Sequence, residues 1–300
     1  MPNTLAHFGI QGLITAAVIR KSDFKWIFLG CVLPDIPWII RRVVTILNID
    51  VSPYDLMLYA AVQSSLFGSL MLCGALATFS RRHGKIFAIL ALNSLLHLLL
   101  DSLQKKWANG VHLFAPFSWQ HMNFGLFWPE SLITILLTIA GLGFFSYAWR
   151  KRAGSGEDLV SPKGGRLVIC IFLLLGYLTA PFALLSGPEA ADNFSVRTLR
   201  QIENRAGRDV EIDRRPYSIE DGNEVIVTYA KEKLKVEGDK TNSSGIISVR
   251  ATFLDQKTIQ IHEMHFHWVY FRDAASYLGL LMVGLYWMRT FRIVLLKKRT

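Results

Sequence analysis

The most informative local pattern in the sequence is His97-Leu-Leu-Leu-Asp101, which lies at the end of an apolar stretch. Because residues four positions apart lie on the same face of an α-helix, the imidazole and the carboxylate are expected to point in one direction. Both groups are ligands that divalent metals accept in proteins. The alternative is that His97 hydrogen-bonds Asp101 and joins neighbouring helices. The spacing alone leaves both interpretations open.

Asp35 is the second residue that needs an explanation, because it lies inside the apolar run Leu33-Pro-Asp-Ile-Pro-Trp38. A carboxylate inside a membrane costs roughly 2.5 to 3.5 kcal/mol on insertion scales, so Asp35 requires a partner. A metal ligand or a general base would fit this requirement. Asp35 could instead cap a helix that restarts at the following proline.

Three further histidines lie close to apolar segments. His7 is near the beginning of the first segment, and His112 and His121 flank an aromatic stretch that precedes Glu130. Each is ambiguous by itself. The run His262-Glu-Met-His265-Phe-His267 would place two imidazoles on one face of a strand, which predicts an exposed strand at the membrane surface, with a metal site as the alternative.

The composition indicates a membrane protein. The chain has 300 residues, of which 51% are apolar and only 19% charged, whereas an average globular chain is about 25% charged. We expect a multi-pass α-helical membrane protein with about seven apolar segments and one small inserted antiparallel β domain. The segments are Leu5–Ile19, Trp26–Ile40, Leu56–Phe79, Ile86–Leu103, Leu132–Trp149, Leu167–Ser186 and Ala274–Leu296.

The net charge of +10 is explained by orientation in a membrane. With the C-terminus in the cytoplasm, sixteen Lys and Arg residues lie in inner loops and four in short outer loops, as the positive-inside rule requires. We therefore expect an inner (plasma) membrane protein in contact with membrane lipid, and no nucleic-acid partner.

The predicted domains follow from these segments. Residues 1–150 are expected to form a membrane-embedded domain, 151–166 a cytoplasmic linker, and 167–187 a transmembrane helix. Residues 188–272 alternate with a period of two and predict an extracytoplasmic β domain, as a barrel of about five strands. Residues 273–300 form a transmembrane helix and a basic cytoplasmic tail. This topology places His7, Asp35, Asp101 and the loop with His112 and His121 on the outer side, where they could converge.

The motifs also resemble a known family. Asn3-Thr-Leu-Ala-His7, Gly30-Cys-Val-Leu-Pro-Asp35, the His97 to Asp101 run and Gly110-Val-His-Leu-Phe-Ala-Pro116 resemble, in order and spacing, the membrane-bound metal-dependent hydrolases of bacterial inner membranes, over about residues 1–150. The resemblance implies His7, Asp35, His97 and Asp101 as metal ligands. One departure is Gln63-Ser64-Ser65, where the family has Thr-His-Ser. Either His112 or His121 replaces that ligand, or the chain is a non-catalytic relative.

The expected function is hydrolysis of an ester or phosphoester of lipid or cell-envelope type at the outer face. A divalent metal, zinc in the first place and manganese or magnesium as alternatives, would lower the pKa of a water molecule towards about 7. Its candidate ligands are His7, Asp35, His97, Asp101, His112 and His121, with Asp35 or Asp101 as the catalytic base. The alternative is a non-catalytic scaffold whose β domain binds a protein partner.

Overall fold

The computed structural model describes residues 3–151, 159–238 and 243–297. Part of the predicted linker, at 152–158, and the end of the predicted basic tail, at 298–300, lie outside these residues. The helices are α1 (Thr4–Val18), α2 (Phe24–Gly30), α3 (Ile36–Ile46), α4 (Pro53–Ser64), α5 (Leu66–Ala77), α6 (His83–Ser102), α7 (Leu132–Arg150), α8 (Gly165–Leu184), α9 (Ser186–Ala190), α10 (Val196–Arg200) and α11 (Val269–Lys297). Short 3-10 turns lie at Leu33–Asp35, Asn193–Ser195 and Ile202–Asn204.

Three helical stretches within the described residues are long and apolar enough to cross a membrane. They are His83–Ser102, Leu132–Arg150 and Gly165–Ala190. The last has only 17% of its apolar window buried inside the protein, as expected for a helix that faces lipid. Helices α4 and α5 would add a fourth span if they are counted as one, but they are bent by 63°.

The predicted fold class, with seven apolar segments and one small antiparallel insertion, is therefore wrong. The protein has a mixed α/β fold with three such helical stretches and a closed five-stranded barrel. Several of the predicted apolar segments are broken into shorter helices.

The breaks have local causes. Pro34 lies in the 3-10 turn Leu33–Asp35, which separates α2 from α3, since proline cannot continue a preceding helix. Ser65 is extended and its side chain caps α5 by accepting a hydrogen bond from the Gly68 N–H. Helix α1 has only 15 residues, fewer than the about 20 that a span requires. Tyr277 and Arg289 are among the residues that make α11 less apolar than the other long helices.

The strands are β1 (Asp209–Glu220), β2 (Asn223–Val227), β3 (Lys233–Glu237), β4 (Gly245–Phe253) and β5 (Thr258–Phe266). They close into a barrel in the order β1-β2-β3-β5-β4, and alternate residues such as Ile226, Leu234 and Val249 fill its interior. All pairs are antiparallel except β3 with β5, which is parallel. The sheet is not purely antiparallel because β4 pairs with β1, so β5 lies between β4 and β3 and runs in the direction of β3.

The barrel is attached to the helical part by both apolar and polar contacts. Met57 and Leu58 of α4 pack in one cluster with Phe194 and Val196, which precede the barrel. The Tyr54 hydroxyl donates to the Leu199 carbonyl at 3.1 Å. Burial of this apolar surface stabilises the attachment, so the barrel has a defined position over α3 and α4.

Helices α1 and α7 approach each other more closely than side chains would allow. A Cβ atom added to Gly141 would overlap with the Leu5 carbonyl oxygen, and one added to Gly9 would lie 2.9 Å from the Gly141 nitrogen. Small residues at a helix crossing let two backbones make close contact. This contact holds α1, and with it His7, against α7.

Candidate metal centre

Three separate elements carry the four side chains of the candidate centre. His7 lies in the first turns of α1, Asp35 ends the 3-10 turn before α3, and His97 and Asp101 lie in the last turns of α6. The start of α1 is held by Asn3, whose side chain accepts from the Ala6 N–H and donates to Thr138 of α7. The local capping and the helix crossing together position His7.

The side chains meet in a buried cluster. One ligand atom from each of His7, His97 and Asp101 lies within 4.8 Å of the others. His7 Nε2 is 3.6 Å from Asp101 Oδ1, and His97 Nε2 is 3.4 Å from Asp35 Oδ1. The two imidazole rings are stacked with their centroids 3.8 Å apart. The structure therefore brings together four of the six predicted ligands.

The polar atoms that face one another in this cluster are unsatisfied. His7 Nε2, Asp35 Oδ1, His97 Nε2 and Asp101 Oδ1 are all buried, and none of them has a hydrogen-bond partner among the described residues. A buried polar atom without a partner costs about 1 to 3 kcal/mol. A divalent cation between His7 Nε2, His97 Nε2 and Asp101 Oδ1 would satisfy these three atoms, and two imidazoles with a carboxylate are a donor set that zinc accepts. The residues fit a metal ion.

Neighbouring groups orient the two imidazoles. His97 Nδ1 lies 2.8 Å from the Cys31 carbonyl oxygen, so Nδ1–H donates to this oxygen and the Nε2 lone pair faces the cluster. His7 Nδ1 lies 2.7 Å from the side-chain amide of Gln11. The atom at this distance is the amide nitrogen, which donates to Nδ1. Exchanging the amide nitrogen and oxygen of Gln11 would let the buried oxygen, which has no partner among the described residues, accept from Nδ1–H and turn the Nε2 lone pair towards the cluster.

Lys106 was missed in the sequence analysis. Its ammonium lies 3.2 Å from Asp101 Oδ2 and is buried, so it compensates one carboxylate and leaves Oδ1 for the cluster. The sequence feature that could have indicated this contact is the position of Lys106, five residues after Asp101. Gln11 was also missed, although its spacing of four residues from His7 on a helix predicts that contact.

A small cavity adjoins the cluster. It is lined by Asp35, Ser64, His97, Asp101 and His112, among others, and its volume of about 20 Å³ is enough for a single water molecule. Ser64 stands where the similar family has a histidine, and its hydroxyl donates to the Ala61 carbonyl. The cluster thus has an open side towards a solvent-sized space.

His112 and His121 lie outside the four-residue cluster. Their rings are 4.7 Å apart, and His112 Nε2 accepts from the Asn193 side chain at 2.8 Å. Burial lowers the pKa of His112 well below its usual range, and the nearby His121 lowers it further. Burial also lowers the pKa of His121 to about 4. Both imidazoles are therefore neutral at physiological pH.

A second group of titratable side chains joins the barrel to the loop before α7. Glu130 Oε1 is 2.8 Å from His267 Nδ1 and 3.2 Å from Arg214, and Glu130 Oε2 is 3.7 Å from His265 Nε2. The His265 ring stacks on Trp128. These atoms also have the spacing of a metal site, but the Arg214 guanidinium at the shared carboxylate favours an ion-paired contact. His265 and His267 thus contact Glu130 and are not part of the cluster that contains His7.

Comparison with models of protein families, with curated proteins and with solved structures found no match. The geometry of this chain is therefore the support for a candidate metal centre. The main observation is that four buried side-chain atoms that could bind a metal have no hydrogen-bond partner among the described residues.

Glu130→Gln is expected to weaken the attachment of the barrel in a pH-dependent way. Burial raises the pKa of Glu130, but the His267 hydrogen bond and the Arg214 charge outweigh it and lower the pKa to about 2. Because this folded value is below the unfolded value of about 4.3, the stabilisation is present above that pH and is lost as the pH falls towards 2. The difference in Tm between wild type and variant should therefore be largest near pH 7 and shrink below pH 4.

The measurement is thermal unfolding in detergent between pH 7 and pH 3. Glu237→Gln is the matched control, because Glu237 is exposed and its carboxylate lies 3.8 Å from the Lys235 ammonium. A Glu130→Gln variant with the same Tm as Glu237→Gln at every pH would contradict the prediction.

Proposed function

We propose that the protein is a membrane-bound metal-dependent hydrolase that cleaves an ester or phosphoester of lipid or cell-envelope type. The observation that supports this most directly is the buried cluster of His7, Asp35, His97 and Asp101, whose facing atoms have no other partner among the described residues. The His7–Asp101 and His97–Asp35 pairs are 3.6 and 3.4 Å apart and none of the four atoms makes a hydrogen bond among the described residues, so a bound ion would satisfy them better than these pairs do. The small cavity beside them provides a place for water.

A divalent metal bound here would supply Lewis acidity and would activate water at neutral pH. His7, His97 and Asp101 are the proposed ligands, since their donor atoms form the most compact group. The Cys31 carbonyl orients His97, and Lys106 holds Asp101. Asp35 is the proposed general base, because it lines the small cavity and can accept a proton at Oδ1.

The membrane setting supports a lipid or cell-envelope substrate. Three helical stretches are apolar enough to span a membrane, and the ligands on α6 lie near one end of its span. Helix α3, which follows Asp35, exposes Ile40, Val43 and Ile46 on one face, as helices at a membrane surface do. We place the protein in the inner membrane with its C-terminus in the cytoplasm and the barrel outside, in agreement with the distribution of Lys and Arg.

The test is turnover by purified protein in detergent. Carboxylic esters, phosphomonoesters and phosphodiesters, each in a lipid and a water-soluble form, are offered with zinc, manganese or magnesium. We expect hydrolysis that a chelator abolishes, and a loss of at least about 100-fold in kcat for Asp35→Asn, since general acid–base catalysis contributes about 10² to 10⁴.

His83→Gln is the matched control for His97→Gln, because His83 is an exposed histidine on the same helix. The control should keep full turnover and His97→Gln should lose it. If His97→Gln retains the wild-type rate on the substrate that the wild type cleaves, the hydrolase proposal is wrong, and a scaffold that binds partners through the barrel becomes the better explanation.

A further inference from the structure

A large cavity lies between α3 and the barrel, next to the metal centre. Its volume is about 450 Å³, within the range of small-molecule sites. Trp38 and Asn109 line both this cavity and the small cavity at the metal-ligand cluster. The two spaces therefore share a wall, and a ligand in the large cavity would lie beside the proposed reaction centre.

The cavity is rich in arginine. Five guanidinium groups line it, together with three carboxylates. The arginines are Arg41, Arg42, Arg214, Arg215 and Arg272, and the carboxylates belong to Glu211, Asp213 and Asp273. Since guanidinium groups present a planar set of donors that matches phosphate oxygens, such a lining favours an anionic ligand.

Three of the arginines have carboxylate partners. Arg42 and Arg272 both contact Asp273, at 3.5 Å and 2.9 Å, and Arg214 lies 3.2 Å from Glu130. These pairs leave little positive charge free for a ligand. The remaining two arginines differ from them.

Arg41 and Arg215 have no carboxylate oxygen within 4 Å in the part of the chain that the structure describes. Arg41 Nε is also buried without a hydrogen-bond partner among those residues. Arg215 lies over the Tyr229 ring, 5.6 Å from its centroid. A half-buried cation without a counterion is costly, so two of them on one cavity indicate that an anion belongs there.

The pKa values agree with this geometry. Burial and, to a smaller extent, the Arg215 charge together lower the pKa of the Arg41 guanidinium to about 10. Burial also lowers the pKa of Arg215, although Asp213 opposes the change. The two cations thus repel each other in a poorly solvated place, and an anion between them would relieve both effects.

Helix α3 connects this cavity to a lipid-facing surface. Arg41 and Thr45 line the cavity, whereas Ile40, Val43 and Ile46 of the same helix are exposed. A helix with one charged and one exposed apolar face is typical of the headgroup region of a membrane. The cavity is accordingly at the depth of phospholipid headgroups when α3 lies on the membrane surface.

We infer that the substrate carries a phosphate group, which Arg41 and Arg215 hold in the large cavity while the bond to be cleaved lies at the metal centre. This inference rests on the proposed function for the cleavage but not for the binding of phosphate. The phosphate could belong to a lipid headgroup or to a water-soluble phosphoester, and the same two guanidinium groups would bind either.

The test is a binding measurement that does not require turnover. Chelator-treated protein in a non-ionic detergent is titrated calorimetrically with inorganic phosphate, with glycerol phosphate and with mixed micelles that contain phosphatidic acid. We expect binding of at least one of these probes, weakened at least about tenfold in both Arg41→Gln and Arg215→Gln, since a charge-assisted hydrogen bond is worth about one factor of ten or more. Arg197→Gln is the control, because Arg197 is exposed and lies outside the cavity.

The two sources of phosphate are separated by the probes. Tighter binding of the phosphatidic acid micelles than of glycerol phosphate assigns the site to a lipid headgroup, and the reverse order assigns it to a soluble phosphoester. Binding that is the same in wild type, Arg41→Gln and Arg215→Gln overturns the inference, as does the absence of binding by all three probes. Because Arg41 forms no ion pair with described residues, Arg41→Gln should keep the Tm of the wild type. Arg215→Gln should lower the Tm only slightly, through loss of the contact with the Tyr229 ring.

Failure of this inference and failure of the proposed function have different signatures. If phosphate binding depends on the two arginines but no substrate is cleaved, the anion site stands and the hydrolase proposal fails. If neutral esters are cleaved with the same KM in wild type and Arg41→Gln, and no phosphate probe binds, the hydrolase proposal stands and the phosphate site is wrong.

Discussion

Wild-type protein loaded with zinc is expected to keep close to one metal ion per chain after gel filtration, and the His97→Gln variant is expected to lose it. His97 Nε2 is one of the four buried atoms that face the cluster, and its orientation is set by the Cys31 carbonyl. Loss of a residue that only hydrogen-bonds a metal ligand lowers metal affinity by about 10- to 100-fold. Removal of a ligand should therefore lower it by at least about 100-fold, as measured by mass spectrometry of the protein fraction.

The thermal transition provides an independent readout. A bound ion at 100 times its Kd stabilises the folded state by about 2.7 kcal/mol, so zinc should raise the Tm of the wild type and leave that of His97→Gln unchanged. His83→Gln, with an exposed histidine on the same helix, should behave like the wild type. Equal zinc content and equal Tm response in His97→Gln and His83→Gln would show that the cluster is not a metal site.

Gly141→Ala is expected to separate α1 from α7 and thereby to displace His7. The added Cβ would overlap with the Leu5 carbonyl oxygen, which is a backbone atom that cannot turn aside. Overpacking of this kind costs typically about 1 to 3 kcal/mol. Since α1 must move, the variant should show both a lower Tm and weaker zinc binding, although residue 141 is not itself a ligand.

Gly143→Ala is the matched control two residues further along α7. A Cβ at Gly143 would have no described atom within 4 Å, and alanine is favoured over glycine in a helix by about 0.5 to 1 kcal/mol. The two variants should therefore change the Tm in opposite directions. The close-contact explanation would be contradicted by a Gly141→Ala protein as stable as Gly143→Ala with unchanged zinc binding.

Short-range patterns in the sequence predicted much of the local structure. The four-residue spacing of His97 and Asp101 predicts that both side chains lie on one helix face, and both indeed join one cluster at the end of α6. The period of two in the short runs at 224–229, 246–253 and 258–262 predicts strands, and the strands found there bury alternate residues such as Ile226 and Val249 in a barrel. Both patterns act over a few residues, where backbone geometry alone decides which side chains share a face.

The number of membrane spans could not be read in this way. Hydropathy is an average over about 20 residues, and it does not register that Ser65 interrupts a helix. Proline is different: Pro34 and Pro37 in the second apolar segment predict a break, and the structure has one between α2 and α3. The parallel pairing of β3 with β5 was equally hidden, because it depends on β4 pairing with β1 across the whole barrel.

The sequence by itself thus determined which residue types could form a metal centre, and that His97 and Asp101 belong to one helix face. Only the tertiary structure decided that His7 and Asp35 join them, that His112 and His121 do not, and that the cluster adjoins an arginine-lined cavity. The physical reason is range: helix and strand periodicity act between near neighbours, whereas these contacts depend on close packing between α1, α6, α7 and the barrel, which are far apart in the chain.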